Sequence, residues 1–133
     1  MLKVKVYTPG KLREAWLKEA LSEYEKRLKG TVSIEWIFQN IPPERPYYCL
    51  DPQGKMLDSI EFSTFLHKAW EQAGSRLNIV IGGPEGLLPP VLGGAEEVIS
   101  LSPLTFTHQM ARLILIEQVY RAVQIQKGTP YHK

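Results

Sequence analysis

The sequence predicts an α/β fold, a mostly parallel sheet with helices on both faces, in one domain spanning residues 1–133. Three observations carry that prediction. Short apolar or alternating segments are separated by segments with helical spacing, the pattern of a sheet whose crossovers are helical. A chain of 133 residues is long enough to bury a real core in one domain. A hydrophobic fraction of 44% and a charged fraction of 23% exclude a disordered or coiled-coil chain.

Leu2, Val4 and Val6 alternate with Lys3, Lys5 and Tyr7, a first strand with one wet face. Thr8-Pro9-Gly10 breaks it. From Lys11 to about Leu28 the spacing is helical, with Leu17, Leu21, Tyr24 and Leu28 on one stripe. Lys11, Arg13, Lys18, Lys26, Arg27 and Lys29 make that helix basic, as a solvated face or as a surface for RNA phosphates. Thr31 to Phe38 reads as a second strand, and Gln39 to Pro46 carries three prolines that exclude a helix or a central strand. A short third strand, Tyr47 to Leu50, runs into a turn at Asp51-Pro52-Gln53-Gly54.

Asp58, with Glu61 three residues on, is a capping box for a second helix from Ser59 to about Ala73, stopped by Gly74. Leu77 to Ile81 is an apolar strand ending in Gly82-Gly83-Pro84-Glu85-Gly86, and Leu87 to Ala95 reads as a loop with a short helical turn at best. Glu97 to Leu101 is the last strand, followed by Ser102-Pro103-Leu104-Thr105-Phe106 and a helix over roughly His108 to Gln126. That helix is apolar almost all round, through Met110, Leu113, Ile114, Leu115, Ile116, Val119, Tyr120, Val123 and Ile125. Such a helix needs a partner on each side; its sheet is one, and a second copy in a homodimer is the expected other.

Composition excludes several function classes. A net charge of +2 does not by itself argue for nucleic acid, so any nucleic-acid face depends on placement. The single Cys49 forms no internal disulfide, and His67, His108 and His132 share no metal-ligand spacing, so no metal is expected. The N-terminus lacks the apolar stretch of a signal peptide, and no run spans a bilayer, which predicts a cytoplasmic protein without membrane contact. No Ser/His/Asp or Cys/His set stands out, which disfavours hydrolysis.

Ligands of open α/β sheets bind beyond the carboxyl ends of strands, which directs attention to the loops after Ile81 and Leu101. The first lacks the Lys-Ser/Thr of a phosphate loop and the dinucleotide spacing. Its paired glycines serve either a turn or a close approach to a ligand. The stretch Leu101 to Phe106 has backbone groups outside any sheet that suit the edge of a purine, or it is a connector whose threonines cap the next helix. His108 and Arg112 share a helix face. Tyr131-His132-Lys133 is a frayed tail or a group that stacks on and binds a nucleotide.

Asn78-Ile79-Val80-Ile81-Gly82-Gly83-Pro84-Glu85-Gly86 and Ile99 to Arg112 resemble the RlmH family, SPOUT-class pseudouridine N3-methyltransferases, as does the ending from Glu117 to Ala122 and from Pro130 to Lys133. The resemblance implies a SPOUT-type α/β knot with a deep C-terminal trefoil, a homodimer, and methylation of N3 of a pseudouridine in large-subunit (23S) rRNA on the assembled ribosome. S-adenosyl-L-methionine is the implied cofactor, held by Leu50, Gly82, Gly83, Leu101, Ser102, Pro103, Leu104, Thr105 and Phe106. The catalytic set is expected among His108, Arg112, Tyr131, His132 and Lys133. His108, His132 or a water would be the base, Arg112 and Lys133 the phosphate ligands, and Tyr131 a group that stacks on the base or positions the tail.

One departure is visible. Family members carry a longer segment with a helix between the second and third strands. Here only about Gln39 to Pro46 joins them, whereas a parallel crossover takes about a dozen residues or more. The packing of one sheet face is therefore expected to differ. Rival readings are a SPOUT enzyme with another nucleotide target, a non-catalytic RNA-binding or ribosome-assembly protein, and a small-molecule enzyme. Mapping the modified base separates the first, and cofactor binding without transfer the second. The missing phosphate motifs disfavour the third.

Overall fold

A computed structural model describes residues 1–39, 43–83 and 85–132. The elements run β1 (Leu2–Tyr7), α1 (Ala15–Leu28), β2 (Val32–Ile37), β3 (Tyr48–Met56), α2 (Ser59–Gln72), β4 (Arg76–Ile81), α3 (Pro89–Gly94), β5 (Glu97–Ser100) and α4 (His108–Lys127). The five strands form one sheet in the order β2-β1-β4-β3-β5, and every neighbouring pair is parallel. The α/β class expected from the alternation of periods is the observed one.

Alternation along each strand sorts the side chains onto two unequal faces. Val4, Val6, Tyr48, Leu50, Leu77, Ile79, Ile81 and Ile99 pack in the large core with Leu17 and Leu21 of α1, Leu66 and Trp70 of α2, and Leu115, Ile116 and Val119 of α4. Their in-between neighbours Cys49 and Val80 join Tyr47 and Val91 of α3 in a small second core. Three helices thus cover one face, and α3 covers part of the other. Cys49 lies in the small core, where burial raises its thiol pKa from 9.0 to about 11.

The short connection between β2 and β3 is helix-free over its described residues 38, 39 and 43–47. It must carry the chain from the edge strand past β1 and β4. Three strand spacings are roughly 14 Å, within the roughly 33 Å that an extended chain over residues 38–47 reaches. Asn78 on β4 ties the connection down, its amide donating to the carbonyls of Glu44 at 3.3 Å and Pro46 at 3.4 Å. Asn40, Ile41 and Pro42 within it lie outside the described residues.

Several boundaries differ from expectation for local reasons. α1 starts at Ala15 and not at Lys11, because the carbonyls of Pro9, Gly10 and Lys11 accept from Arg112 and so lie outside any helix ladder. β3 does not stop at Leu50. Leu50 and Lys55 both face Ile99, so residues 51–54 form a bulge inside a longer strand. The Asp51 carboxylate fixes that bulge by accepting from the Gln53 amide at 2.9 Å.

Pro89 and Pro90, preorganised for a first turn, start α3, a helix of 6 residues where a loop with a short helical turn at best was expected. The Asp58–Glu61 capping box is present in both directions. α4 buries Arg112, Leu115, Ile116, Val119, Ala122 and Val123, while Met110 stays exposed and Leu113, Ile114 and Ile125 are only half-buried.

Candidate cofactor and catalytic site

Because the strands are parallel, the loops after β3, β4 and β5 emerge at one edge of the sheet, and the first turn of α4 closes against them. Together they line a cavity. β3 and its bulge supply Leu50, Asp51 and Pro52; β4 and its loop supply Ile81, Gly82, Gly83, Gly86 and Leu87. The β5–α4 loop supplies Leu101, Ser102, Leu104, Thr105 and Phe106, and α4 supplies His108 and Ala111. Of the residues expected to hold a cofactor, all but Pro103 line this cavity. Asp51, Pro52, Ile81, Gly86, Leu87 and Ala111 were not anticipated. The bulge after Leu50, hidden in what reads as a turn, turns Asp51 and Pro52 towards it.

The wall after β4 is tight against side chains at both Gly82 and Gly83, and at Gly82 the obstacle is backbone. A Cβ on Gly82 would lie 2.8 Å from the carbonyl carbon of Gly86, and one on Gly83 would lie 3.0 Å from Pro9 Cγ. Gly86 has φ +80 and its amide donates to the Gly83 carbonyl at 3.0 Å, folding the loop back on itself. Pro84 lies outside the described residues.

The wall after β5 is held by serine hydroxyls. The Ser100 hydroxyl donates to the Ser102 carbonyl at 2.8 Å and accepts from the Ser102 amide at 3.2 Å, and the Ser102 hydroxyl accepts from the Leu104 amide at 3.0 Å. Two amides of the loop are therefore already used. Thr107 caps α4, accepting from the Met110 amide at 3.2 Å.

The cavity is mostly apolar, with Leu50, Ile81, Leu87, Leu101, Leu104 and Phe106 around it and one carboxylate, Asp51. Such walls fit a flat heterocycle, and the loop backbone offers polar atoms at its edge. Among the described residues no group of three or more His, Cys, Asp or Glu side chains could hold a metal ion.

The expected catalytic residues fall into two groups. His108 lines the cavity, and its pKa is lowered by burial and by the nearby Arg112 charge, which keeps the imidazole neutral. Its Nε2 lies 3.2 Å from Gln109 Nε2. Arg112 is not the phosphate ligand its position suggested. It is fully buried, and its guanidinium donates to Thr8 Oγ1, to the carbonyls of Pro9 and Gly10 at 2.7 Å each, to the Lys11 carbonyl and to Gln109 Oε1. No donor is left for a phosphate.

Tyr131 and His132 form the second group, and the tail that carries them is not frayed. The Tyr131 hydroxyl donates to Glu117 Oε2 at 2.9 Å, and Arg121 Nη1 lies 3.0 Å from His132 Nδ1. Glu117 and Arg121 also pair with each other at 2.8 Å. Tyr131 packs edge-on against Tyr120, and burial followed by Glu117 raises its phenol pKa. Lys133 lies outside the described residues. At about 1.5 Å rise per residue, the latch at Glu117 to Arg121 lies roughly 14–20 Å along α4 from His108. The structure therefore does not bring the tail to the cavity of its own chain.

Similarity to known proteins points to one family. A family model described as "Predicted SPOUT methyltransferase" matches residues 34–132. A ribosomal RNA large subunit methyltransferase H of Protochlamydia amoebophila (strain UWE25) is 50% identical over 141 residues, covering 100% of both chains. A protein of the same name from Prochlorococcus marinus (strain MIT 9515) is 33% identical over 98% of this chain and 96% of its own. A putative ribosomal RNA large subunit methyltransferase H of Methanoregula boonei is 38% identical over 99% of this chain and 100% of its own. That last alignment runs to 162 residues, so this relative carries segments that the 133-residue chain lacks.

Proposed function

The chain belongs to the SPOUT methyltransferase family, and from that premise we propose that it methylates N3 of a pseudouridine in large-subunit ribosomal RNA. It uses S-adenosyl-L-methionine and works in the cytoplasm on the assembled ribosome. The observation that carries this reading is the cavity at the carboxyl ends of β3, β4 and β5, built from loops within the family-matched segment.

The residues present fit the cofactor. Leu50, Ile81, Leu87, Leu101 and Phe106 give apolar walls for the adenine, Gly82 and Gly83 leave the room a side chain would fill, and Asp51 offers an acceptor for a cationic or hydroxyl group. When bound, S-adenosyl-L-methionine supplies a methyl group already activated by the positive sulfur. The protein's part is positioning: the rigid loops hold donor and base in line and keep water out. The imide nitrogen must lose its proton, and neutral His108 at the cavity is the base we assign.

The distance of the tail from its own cavity supports a homodimer in which Tyr131, His132 and Lys133 of one copy serve the cavity of the other. The partly open apolar residues of α4 (Met110, Leu113, Ile114 and Ile125) suit the interface this needs. The trefoil knot belongs to the same proposal, and the place of β3 between β4 and β5 supports it.

The test is methyl transfer from labelled S-adenosyl-L-methionine to ribosomes whose rRNA lacks the modification, with the methylated base mapped by mass spectrometry. Label on N3 of one pseudouridine is the expected result. Label on another nucleotide moves the reading to a different SPOUT specificity, and bound cofactor without transfer moves it to a non-catalytic role.

A further inference from the structure

A buried cation with no anion beside it is a costly thing to keep, and Arg112 is one. Among the described residues no carboxylate pairs with it. Its partners are neutral and fall into two sets. One is the β1–α1 segment, where Thr8, Pro9, Gly10 and Lys11 supply a hydroxyl and three carbonyls. The other is Gln109, whose Oε1 accepts from Arg112 Nη1 at 3.3 Å. Phe38 lies over the guanidinium with its ring centroid 5.6 Å from Cζ.

Each set leads to the cavity. Pro9, whose carbonyl Arg112 grips, backs onto Gly83, as the 3.0 Å approach of Pro9 Cγ to a Cβ built there demonstrates. Gln109, with its oxygen committed to Arg112, turns its NH2 to His108 Nε2 at 3.2 Å. The His108 nitrogen facing that amide must then be the acceptor, which leaves the proton on Nδ1; Nε2 is thus the nitrogen that takes the substrate proton, exchanging the Gln109 amide for it.

We propose that Arg112 is a positioning residue for the reaction: it clamps the β1–α1 segment behind the Gly83 wall and, through Gln109, selects the tautomer of His108. The role rests on the methyltransferase reading for its purpose, but its geometry stands apart from it. A guanidinium suits the task because its donors diverge in one plane and reach several acceptors at once, which a lysine cannot do.

The experiment uses the full chain in three variants, Arg112→Met, Arg112→Lys and Gln109→Leu. Amide hydrogen exchange is followed at Thr8 and Gly86, whose amides donate to the carbonyls of Ile37 and Gly83, the ring nitrogens of His108 are read by 15N NMR, and binding of a non-reactive S-adenosyl-L-methionine analogue by calorimetry. Both Arg112 variants are expected to speed exchange at those amides at least tenfold and to weaken analogue binding about tenfold. Gln109→Leu is expected to shift the His108 tautomer while leaving exchange at Thr8 as in the wild type. In the transfer assay kcat falls more than KM rises. Should Arg112→Met fail to fold, the other two variants decide. Wild-type exchange in Arg112→Lys together with an unchanged tautomer in Gln109→Leu overturns the proposal. Exchange and NMR require no substrate, so they read the clamp even if the wild-type protein methylates nothing.

Discussion

Gly82→Ala tests whether the β4 loop is the wall the site depends on. The new Cβ would sit 2.8 Å from the Gly86 carbonyl carbon and 3.1 Å from both the Gly86 oxygen and Leu87 Cγ. Ordinary carbon contacts begin near about 3.5 Å, so the closest one is short by about 0.7 Å. The obstacle is backbone, pinned by the Gly86-to-Gly83 hydrogen bond, so the loop must move bodily. A displacement approaching ~1 Å at a reacting site costs on the order of 100-fold in rate, or about 2.7 kcal/mol. Overpacking should also cost about 1–3 kcal/mol of stability. Analogue binding by calorimetry and methyl transfer to ribosomes, both well below the melting temperature, are therefore expected to fall together by about 100-fold. Gly30→Ala is the control. Its φ of +86 meets no atom within 4 Å of an added Cβ, so it should cost about 1–2 kcal/mol of stability through strain alone and leave binding intact. A folded Gly82→Ala protein that binds and transfers like the wild type would refute the reasoning.

Other consequences can be checked separately. Asp58→Ala removes the side-chain half of the α2 capping box and should lower stability by about 0.5–2 kcal/mol in urea titrations; an unchanged midpoint would deny the cap its role. Tyr131→Phe deletes the hydrogen bond to Glu117, and exchange at Thr129, whose amide donates to the Gln124 carbonyl, should speed up with about 1.5–3 kcal/mol lost, the range for a charged acceptor. Equal protection in both proteins would show that Tyr120 packing alone holds the tail. The Cys49 thiol is lifted from 9.0 to about 11, so between those values the unfolded chain binds fewer protons and stability declines as pH rises. Urea midpoints at pH 8 and pH 10 should diverge more for the wild type than for Cys49→Ala, and equal divergence would count against burial as the cause.

What could be read from the sequence was what local chemistry decides. The Asp58–Glu61 cap spans one turn, and the alternation in β1 needs only its own residues. The Gly82-Gly83 loop and Leu101 to Phe106 were visible because glycine and proline after apolar runs mark strand ends. The remainder depends on distant partners. Arg112 reads as a phosphate ligand until Thr8, from the other end of the chain, is placed beside it. His67 lies half-buried, with Nδ1 2.8 Å from the Ser63 carbonyl and its ring edge-on to Trp70, contacts that its place in the sequence does not announce. The tail looked free because nothing along it announces that Glu117 and Arg121 would hold it. Residues 51–54 read as a turn, but the pairing of Leu50 and Lys55 with the same Ile99 makes them a bulge within β3.

The position of β3 in the sheet has a bearing on how the protein comes into being. β3 is synthesised before β4 and β5 yet lies between them, so it cannot acquire either neighbour until the chain has grown well past it. Every wall of the cavity then arises from closures over long stretches of chain, the kind that folds slowly. A ligand that binds only the finished pocket adds about 2.7 kcal/mol of stability at a hundred times its dissociation constant. Supply of that ligand in the cell is thus also a term in how much mature protein survives there.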